Sequence, residues 1–118
     1  MAACNAKHCV CALLRTMMFA AIEPHFGPVD IRLRVHVPIL IPSTVPEECG
    51  IRVGDTIRAW DVNQPLVFDD AYQHGTWNHT TQDRVVLLFD MWHPDLTHAE
   101  REALKDMFSE ARQKGWLS

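Results

Sequence analysis

Alternation is the feature that most narrows the fold. From Ile31 to Ile41 the run IRLRVHVPILI sets charged or ring side chains against aliphatic ones at every second position, the pattern of a strand with one face on a core. Arg32, Arg34 and His36 then share a face. Pro42 to Gly50 (PSTVPEECG) is dense in turn formers, and Gly54-Asp55, set between Ile51–Val53 and Thr56–Trp60, reads as a tight hairpin. Pro65–Asp70, a shorter stretch at Thr76–Asn78 and the run VVLLFDMW from Val85 to Trp92 continue the series at close spacing. Several short strands so arranged predict a sandwich or barrel. The last run is apolar at successive positions, as a central strand covered on both faces would be.

After Pro94 the period changes. Thr97 with Glu100 three residues on forms a capping box, and Ala99, Ala103, Leu104, Met107, Phe108 and Ala111 recur at helical spacing. This predicts one helix to about Lys114, its apolar stripe packed on the core. Gly115 suits a left-handed terminator, with Trp116 and Leu117 able to fold back onto the last turn. Residues 1–22 hold an apolar stretch with no clean period. The expected division is therefore a poorly legible segment at 1–22, a β core at 23–96 and a packed helix at 97–118, all within the size of one domain.

The charge balance of −4, from 11 basic and 15 acidic residues, argues against a nucleic-acid partner, which would call for a basic footprint. Cys4, Cys9, Cys11 and Cys49 are too crowded at one end for a disulfide framework and read as free thiols, although Cys9-Val10-Cys11 beside His8 has a faint metal-binding character. The best apolar run, Cys9 to Ile22, is short of a bilayer span and contains Arg15. That same Arg15 interrupts any likeness to a secretory leader ending at Ala20-Ala21. A soluble chain is expected, cytoplasmic by default. Asn78-His79-Thr80 satisfies the glycosylation triplet but falls in an expected strand.

The histidines and arginines carry the chemistry. His25 lies beside Pro24 and Gly27 at the start of the first clear strand, His36 lies within that strand, and His74 follows Asp69-Asp70. Two imidazoles from distant segments can meet at the mouth of a jelly roll and hold a divalent metal. Such a site normally has a third protein ligand, often a carboxylate two residues after the first His, and here Gly27 occupies that place. Arg34, His36 and Arg84 can converge near the same mouth, where a guanidinium fork grips a carboxylate through paired hydrogen bonds. A small dicarboxylate would suit them. On the residues alone two readings remain open, a metal-bearing pocket for an acidic ligand and an ordinary sandwich with solvated charges. His93 in WHPDL is expected to hydrogen-bond within the strand-to-helix corner, Trp60, Trp77 and Trp92 to line core or cleft, and His8 and His98 to be solvated.

The stretches EPHFGPVDIRLRVHVPILIP, IRVGDTIRAW, PLVFDDAYQHGTWN and RVVLLFDMWHPDLT resemble the oxygenase domain of the aspartyl/asparaginyl β-hydroxylase family, iron(II)- and 2-oxoglutarate-dependent dioxygenases. The resemblance covers roughly residues 18 to 104. It implies a mainly β fold, the double-stranded β-helix or jelly roll, with His25 and His74 as the two iron ligands and as the catalytic pair. It further implies Gly27 where related dioxygenases keep a carboxylate, Asp69 or Asp70 as a steadying group behind the metal, and Arg34, His36 and Arg84 as the residues that bind 2-oxoglutarate. The implied reaction consumes molecular oxygen and 2-oxoglutarate, releases succinate and carbon dioxide, and hydroxylates an aspartyl or asparaginyl side chain of a peptide or protein.

Two departures stand out. A longer turn occupies Ser43 to Gly50, and Leu13 to Ile22 (LLRTMMFAAI) runs almost directly into Glu23-Pro24-His25 without a Pro-Gly turn. The second suggests a reduced N-terminal portion and an open sheet edge. The competing reading is thus a degenerate jelly-roll binding module that keeps the pocket but performs no turnover.

Overall fold

The computed structural model describes residues 11–16 and 20–116. Eight strands precede one helix: β1 (Cys11–Thr16), β2 (Ala20–His25), β3 (Arg32–Leu40), β4 (Cys49–Val53), β5 (Thr56–Arg58), β6 (Leu66–Phe68), β7 (His74–Asn78), β8 (Arg84–Trp92) and α1 (His98–Gln113). The strands form two four-stranded sheets of order β1-β8-β3-β6 and β2-β7-β4-β5. All pairings are antiparallel: first with eighth, second with seventh, third with sixth and fourth with fifth. The fold is therefore one long hairpin rolled on itself, sealed by the added pairs β3·β8 and β4·β7. This is the expected mainly β jelly roll with a C-terminal helix.

The tip of the hairpin is the Gly54-Asp55 turn, where Gly54 takes φ 56°, a left-handed conformation that suits glycine. As expected, β8 is an interior strand of its sheet, between β1 and β3. The segment before residue 23 departs from expectation. It supplies two strands, β1 on β8 and β2 on β7, so the roll begins inside the stretch that shows no clean period. A strand six residues long whose partner dictates its register need not show alternation of its own.

The helix forms as its capping box requires. Thr97 Oγ1 accepts from Glu100 N–H, and Glu100 Oε1 accepts from Thr97 N–H. Its C-terminus closes with Trp116 N–H bonded to Ala111 O and Gly115 N–H to Arg112 O, with Gly115 at φ 73°, a Schellman arrangement. The apolar stripe is covered only in part: Leu104, Phe108 and Ala111 are half-buried while Ala99, Ala103 and Met107 are exposed. No residue of α1 is fully buried, and Met107 and Trp116 are 53% and 71% exposed. Capping and local propensity thus support the helix alongside this partial burial. The strand-to-helix corner is built as anticipated on His93, whose N–H donates to Ile31 O and whose Nδ1 accepts from Asp95 N–H.

Between the sheets lie Cys49, Ile51, Trp60 and Val86, with Ile41, Val53, Leu66 and Phe68 packed around them. Cys49 is a buried free thiol; Cys4 and Cys9 lie outside the described residues. Asn78 is also fully buried. Its Oδ1 accepts from Thr80 N–H and Oγ1–H, and its amide nitrogen donates to Gln82 O. The glycosylation triplet is thus spent on a turn. Among the described residues no helix is long and apolar enough to cross a membrane.

Trp60 is the hub of the core. Arg84 lies over its ring, 4.1 Å from the centroid, and the indole Nε1–H donates to His36 Nδ1 at 3.2 Å. Burial, then the charges of Arg84, Arg34 and His74, push the His36 pKa from the ordinary 6.5 down to about 3. The ring is therefore neutral in the fold and protonated in the unfolded chain between those values. Stability then falls as pH drops below about 6.5, by about 1.4 kcal/mol per pH unit, because the unfolded state binds the extra proton. Urea denaturation between pH 7 and 4.5 should show this slope, and His36→Gln should reduce it. Packing makes a second prediction: Val86→Ala, at a fully buried position, should cost about 2 kcal/mol, whereas Val67→Ala, half exposed on β6, should stay within about 0.5 kcal/mol.

Candidate functional site

β2 and β7 pair in register from Ala20 opposite Asn78 to Ile22 opposite Thr76, after which the register shifts so that His25 faces His74. Continued regular pairing would have put Pro24 opposite His74 and turned His25 to the other face of the sheet. One extra residue reverses that. The sequence explains where the bulge falls: Pro24 has no N–H for the ladder, and Gly75 opposite leaves room, since a Cβ there would lie 3.0 Å from Ile22 O and 3.2 Å from Pro24 N.

The bulge brings the two imidazoles together, with ring centroids 4.3 Å apart and planes at 58°. Both are oriented by the same local device. His25 Nδ1–H donates to Glu23 O at 2.9 Å, and His74 Nδ1–H donates to Tyr72 O at 2.8 Å. A carbonyl only accepts, so each ring carries its proton on Nδ1 and, when neutral, presents Nε2 as a lone-pair donor. His74 is buried and His25 exposed, so the pair lies at a rim.

Among the described residues no group of three or more His, Cys, Asp and Glu side chains is placed around a common metal position. The reason at residue 27 is steric. Gly27 N–H donates to Asp70 O at 2.6 Å, and a Cβ on Gly27 would fall 2.5 Å from that oxygen and against the Asp70 carboxylate. Asp70 thus fills the space that a side chain at 27 would need. It is 1% exposed, and burial alone would raise its pKa. The hydrogen bond from Arg32 and the charges of Arg32, Arg34 and His74 prevail and hold the carboxyl below the usual carboxylate range.

Arg32 grips Asp70 through Nη2 at 2.7 Å and Nε at 3.3 Å, and reaches Asp90 through Nη1 at 3.2 Å. Arg34 Nε lies 3.0 Å from Asp90 and 3.6 Å from Asp70. Two guanidinium groups and two carboxylates thus form one part-buried network at the β3 and β8 ends. Arg34 belongs to this cluster, while Arg84 and His36 lie deeper against Trp60. The five residues singled out from sequence therefore fall in three places: His25 and His74 at the rim, His36 and Arg84 in the core, and Arg34 in the network.

Phe68 joins the groups, its ring centroid 5.5 Å from that of His74 and 5.0 Å from that of His36. A continuous series of ring contacts runs from His25 through His74, Phe68, His36 and Trp60 to Arg84. Burial draws the Arg84 pKa down to about 10, still charged at neutral pH. Sequence reasoning missed Arg32, Asp90, Phe68 and Thr76. Thr76 follows His74 by two on the same face of β7, and its buried hydroxyl has no hydrogen-bond partner among the described residues. The β-period places Thr76 beside His74, but nothing local marks Phe68 as more than core. A cleft of about 520 Å³ opens between β5 and β6 and is lined by Phe68 but by neither imidazole.

The family model described as aspartyl/asparaginyl beta-hydroxylase matches residues 1–94. The chain is 38% identical over 83 residues to the aspartyl/asparaginyl beta-hydroxylase of Mus musculus and 37% identical to that of Homo sapiens, in each case over 70% of this chain and 11% of the relative. It is 39% identical over 87 residues to the ornithine lipid ester-linked acyl 2-hydroxylase of Rhizobium tropici, over 69% of this chain and 31% of that protein. The chain therefore spans between about a tenth and a third of the length of these relatives. With the family model covering most of its residues, this chain belongs to the aspartyl/asparaginyl beta-hydroxylase family.

Proposed function

We propose that this domain is a hydroxylase dependent on iron(II) and 2-oxoglutarate, acting on an aspartyl or asparaginyl side chain of a peptide or protein. The observation that carries the reading is the imidazole pair, two rings from strands remote in sequence, set 4.3 Å apart and both tied through Nδ1 to backbone carbonyls. Such outer hydrogen bonds are the usual support of a metal-binding histidine. The donor set suits iron(II): two borderline nitrogen ligands at an exposed rim, with the neighbouring carboxylate of Asp70 held back by Arg32. The names of the mouse and human relatives support the substrate class.

Iron(II) and 2-oxoglutarate, when bound, would supply the chemistry by which molecular oxygen hydroxylates a C–H bond, one oxygen atom entering the hydroxyl group and the other the succinate formed from the diacid as carbon dioxide leaves. The chain's own residues bind and orient. His25 and His74 would hold the metal through Nε2. His36, whose Nδ1 accepts from Trp60, carries its proton on Nε2 and offers an N–H donor to a carboxylate. Arg84 supplies a buried positive charge, which in a site shielded from water counts for more than it would at the surface. Arg34 is engaged by Asp90 and Asp70, so Arg84 with His36 is the better seat for the diacid and Arg34 keeps the acidic network in place. Asp70 stays ionised behind Gly27 and can accept a hydrogen bond from a water beside the imidazoles.

Anaerobic titration of the metal-free protein with iron(II) in the presence of 2-oxoglutarate should develop the visible charge-transfer band of the chelate, and His74→Ala should weaken iron binding by at least about 100-fold. With oxygen and ascorbate, the same protein should release succinate. Iron and diacid binding without any succinate, across aspartyl and asparaginyl peptides, would instead identify a binding module. Gly27→Asp gives a sharper expectation. Its side chain collides with Asp70, so the variant should lose stability by roughly 2 kcal/mol or more and gain no iron affinity, read by thermal melting and metal titration.

A further inference from the structure

The indole of Trp60 makes two contacts that core packing alone does not require. Trp60 is fully buried, so its Nε1–H requires a partner within the core. It is directed at the ring nitrogen of His36, 24 residues away, while Arg84 lies over the face of the same indole. The tautomer follows from donor counting. An indole N–H can only donate, so His36 Nδ1 must accept, and the single proton of the neutral ring must sit on Nε2. This is the opposite tautomer to that of His25 and His74, whose Nδ1 atoms donate to Glu23 O and Tyr72 O. Three histidines linked through the ring of Phe68 are thus sorted by their second nitrogen into two lone-pair donors and one N–H donor.

We propose that Trp60 is a positioning residue of the diacid seat, fixing His36 as the Nε2–H tautomer and holding the Arg84 guanidinium against its ring so that both face a carboxylate as donors. The inference rests on the reading that His36 and Arg84 bind 2-oxoglutarate, and adds how they are kept competent to do so. Without the indole N–H, His36 is at liberty to place its proton on Nδ1. Its Nε2 would then meet a carboxylate lone pair to lone pair, a repulsion in place of a hydrogen bond. The same reversal would give the core a third lone-pair nitrogen beyond the metal pair.

The test uses the whole chain with manganese(II) as a redox-inert metal. Nitrogen-15 NMR of ring-labelled protein near neutral pH should show His36 as the Nε2–H tautomer; a His36 proton on Nδ1 in the unmodified protein overturns the proposal without any variant. Trp60→Phe keeps an aromatic face for Arg84 and removes the N–H together with the remainder of the five-membered ring, a loss of volume for which the His36→Ala background controls. It should shift the His36 tautomer and weaken 2-oxoglutarate binding on the order of tenfold, with manganese affinity unchanged. In a His36→Ala background the Trp60→Phe penalty on 2-oxoglutarate should disappear; an equal penalty there assigns Trp60 to packing alone and overturns the proposal. Unaltered diacid binding by Trp60→Phe does the same. Failure of the unmodified protein to bind 2-oxoglutarate would sink the underlying functional reading instead, and is distinguished by the NMR result, which needs no ligand.

Discussion

A single displaced residue in the β2·β7 ladder is the constraint on which the site depends. Without the slip between Ile22 and His25, the imidazole at 25 would leave the interior face and the pair would not exist. The slip is written in two residues of the same strand pair. Pro24 withholds a ladder hydrogen bond, and Gly75 grants the close approach that a bulge opposite it demands. Backbone geometry and the placement of the imidazole pair are therefore one problem, solved by residues that carry no chemistry of their own.

From that rim the interior becomes progressively more costly in polar terms. A purely apolar core would be easier to stabilise in a domain of 118 residues. This one instead encloses His36, Asp70, His74, Thr76, Asn78 and Arg84. Each of the charged members is matched: Asp70 by the fork of Arg32, Arg84 by the face of Trp60. Buried ionic groups of this kind rarely add stability over well-packed aliphatic side chains. Their retention is intelligible as preorganisation, a set of donors and charges fixed before any ligand arrives.

Much of this was legible in the sequence, for physical reasons that differ by element. Period-2 alternation exposed β3, the Gly54-Asp55 pair exposed the β4·β5 turn, and Thr97 with Glu100 exposed the start of α1. Those signals are local. What remained hidden is relational. β1 and β2 are specified by the strands they join, so their own residues showed no pattern. The stripe on α1 promised burial because amphipathicity usually implies it, and Leu104, Phe108 and Ala111 are half-buried, though no α1 residue is fully so. The side chains at 25, 34, 36, 74 and 84 could be named from sequence, with the family resemblance, but not their sorting into rim pair, acidic network and core pair. That sorting follows from the β3·β8 register, where Arg34 faces Asp90 and His36 faces Leu88. Arg32 went unmarked because its role depends on Asp70, 38 positions later.

The nested pairing of the strands also orders events in time. The β4·β5 ladder closes over two residues, whereas β1 must find a partner that begins at Arg84. Closing short loops first reduces the entropy lost at each later step, so the roll is disposed to zip outward from its Gly54 tip. On a ribosome the amino-terminal strands would have to wait, unpaired, for nearly the whole domain to emerge. The two histidines, one on either side of that wait, become neighbours only near its end, so their pairing belongs to the last stage of folding and cannot nucleate the first.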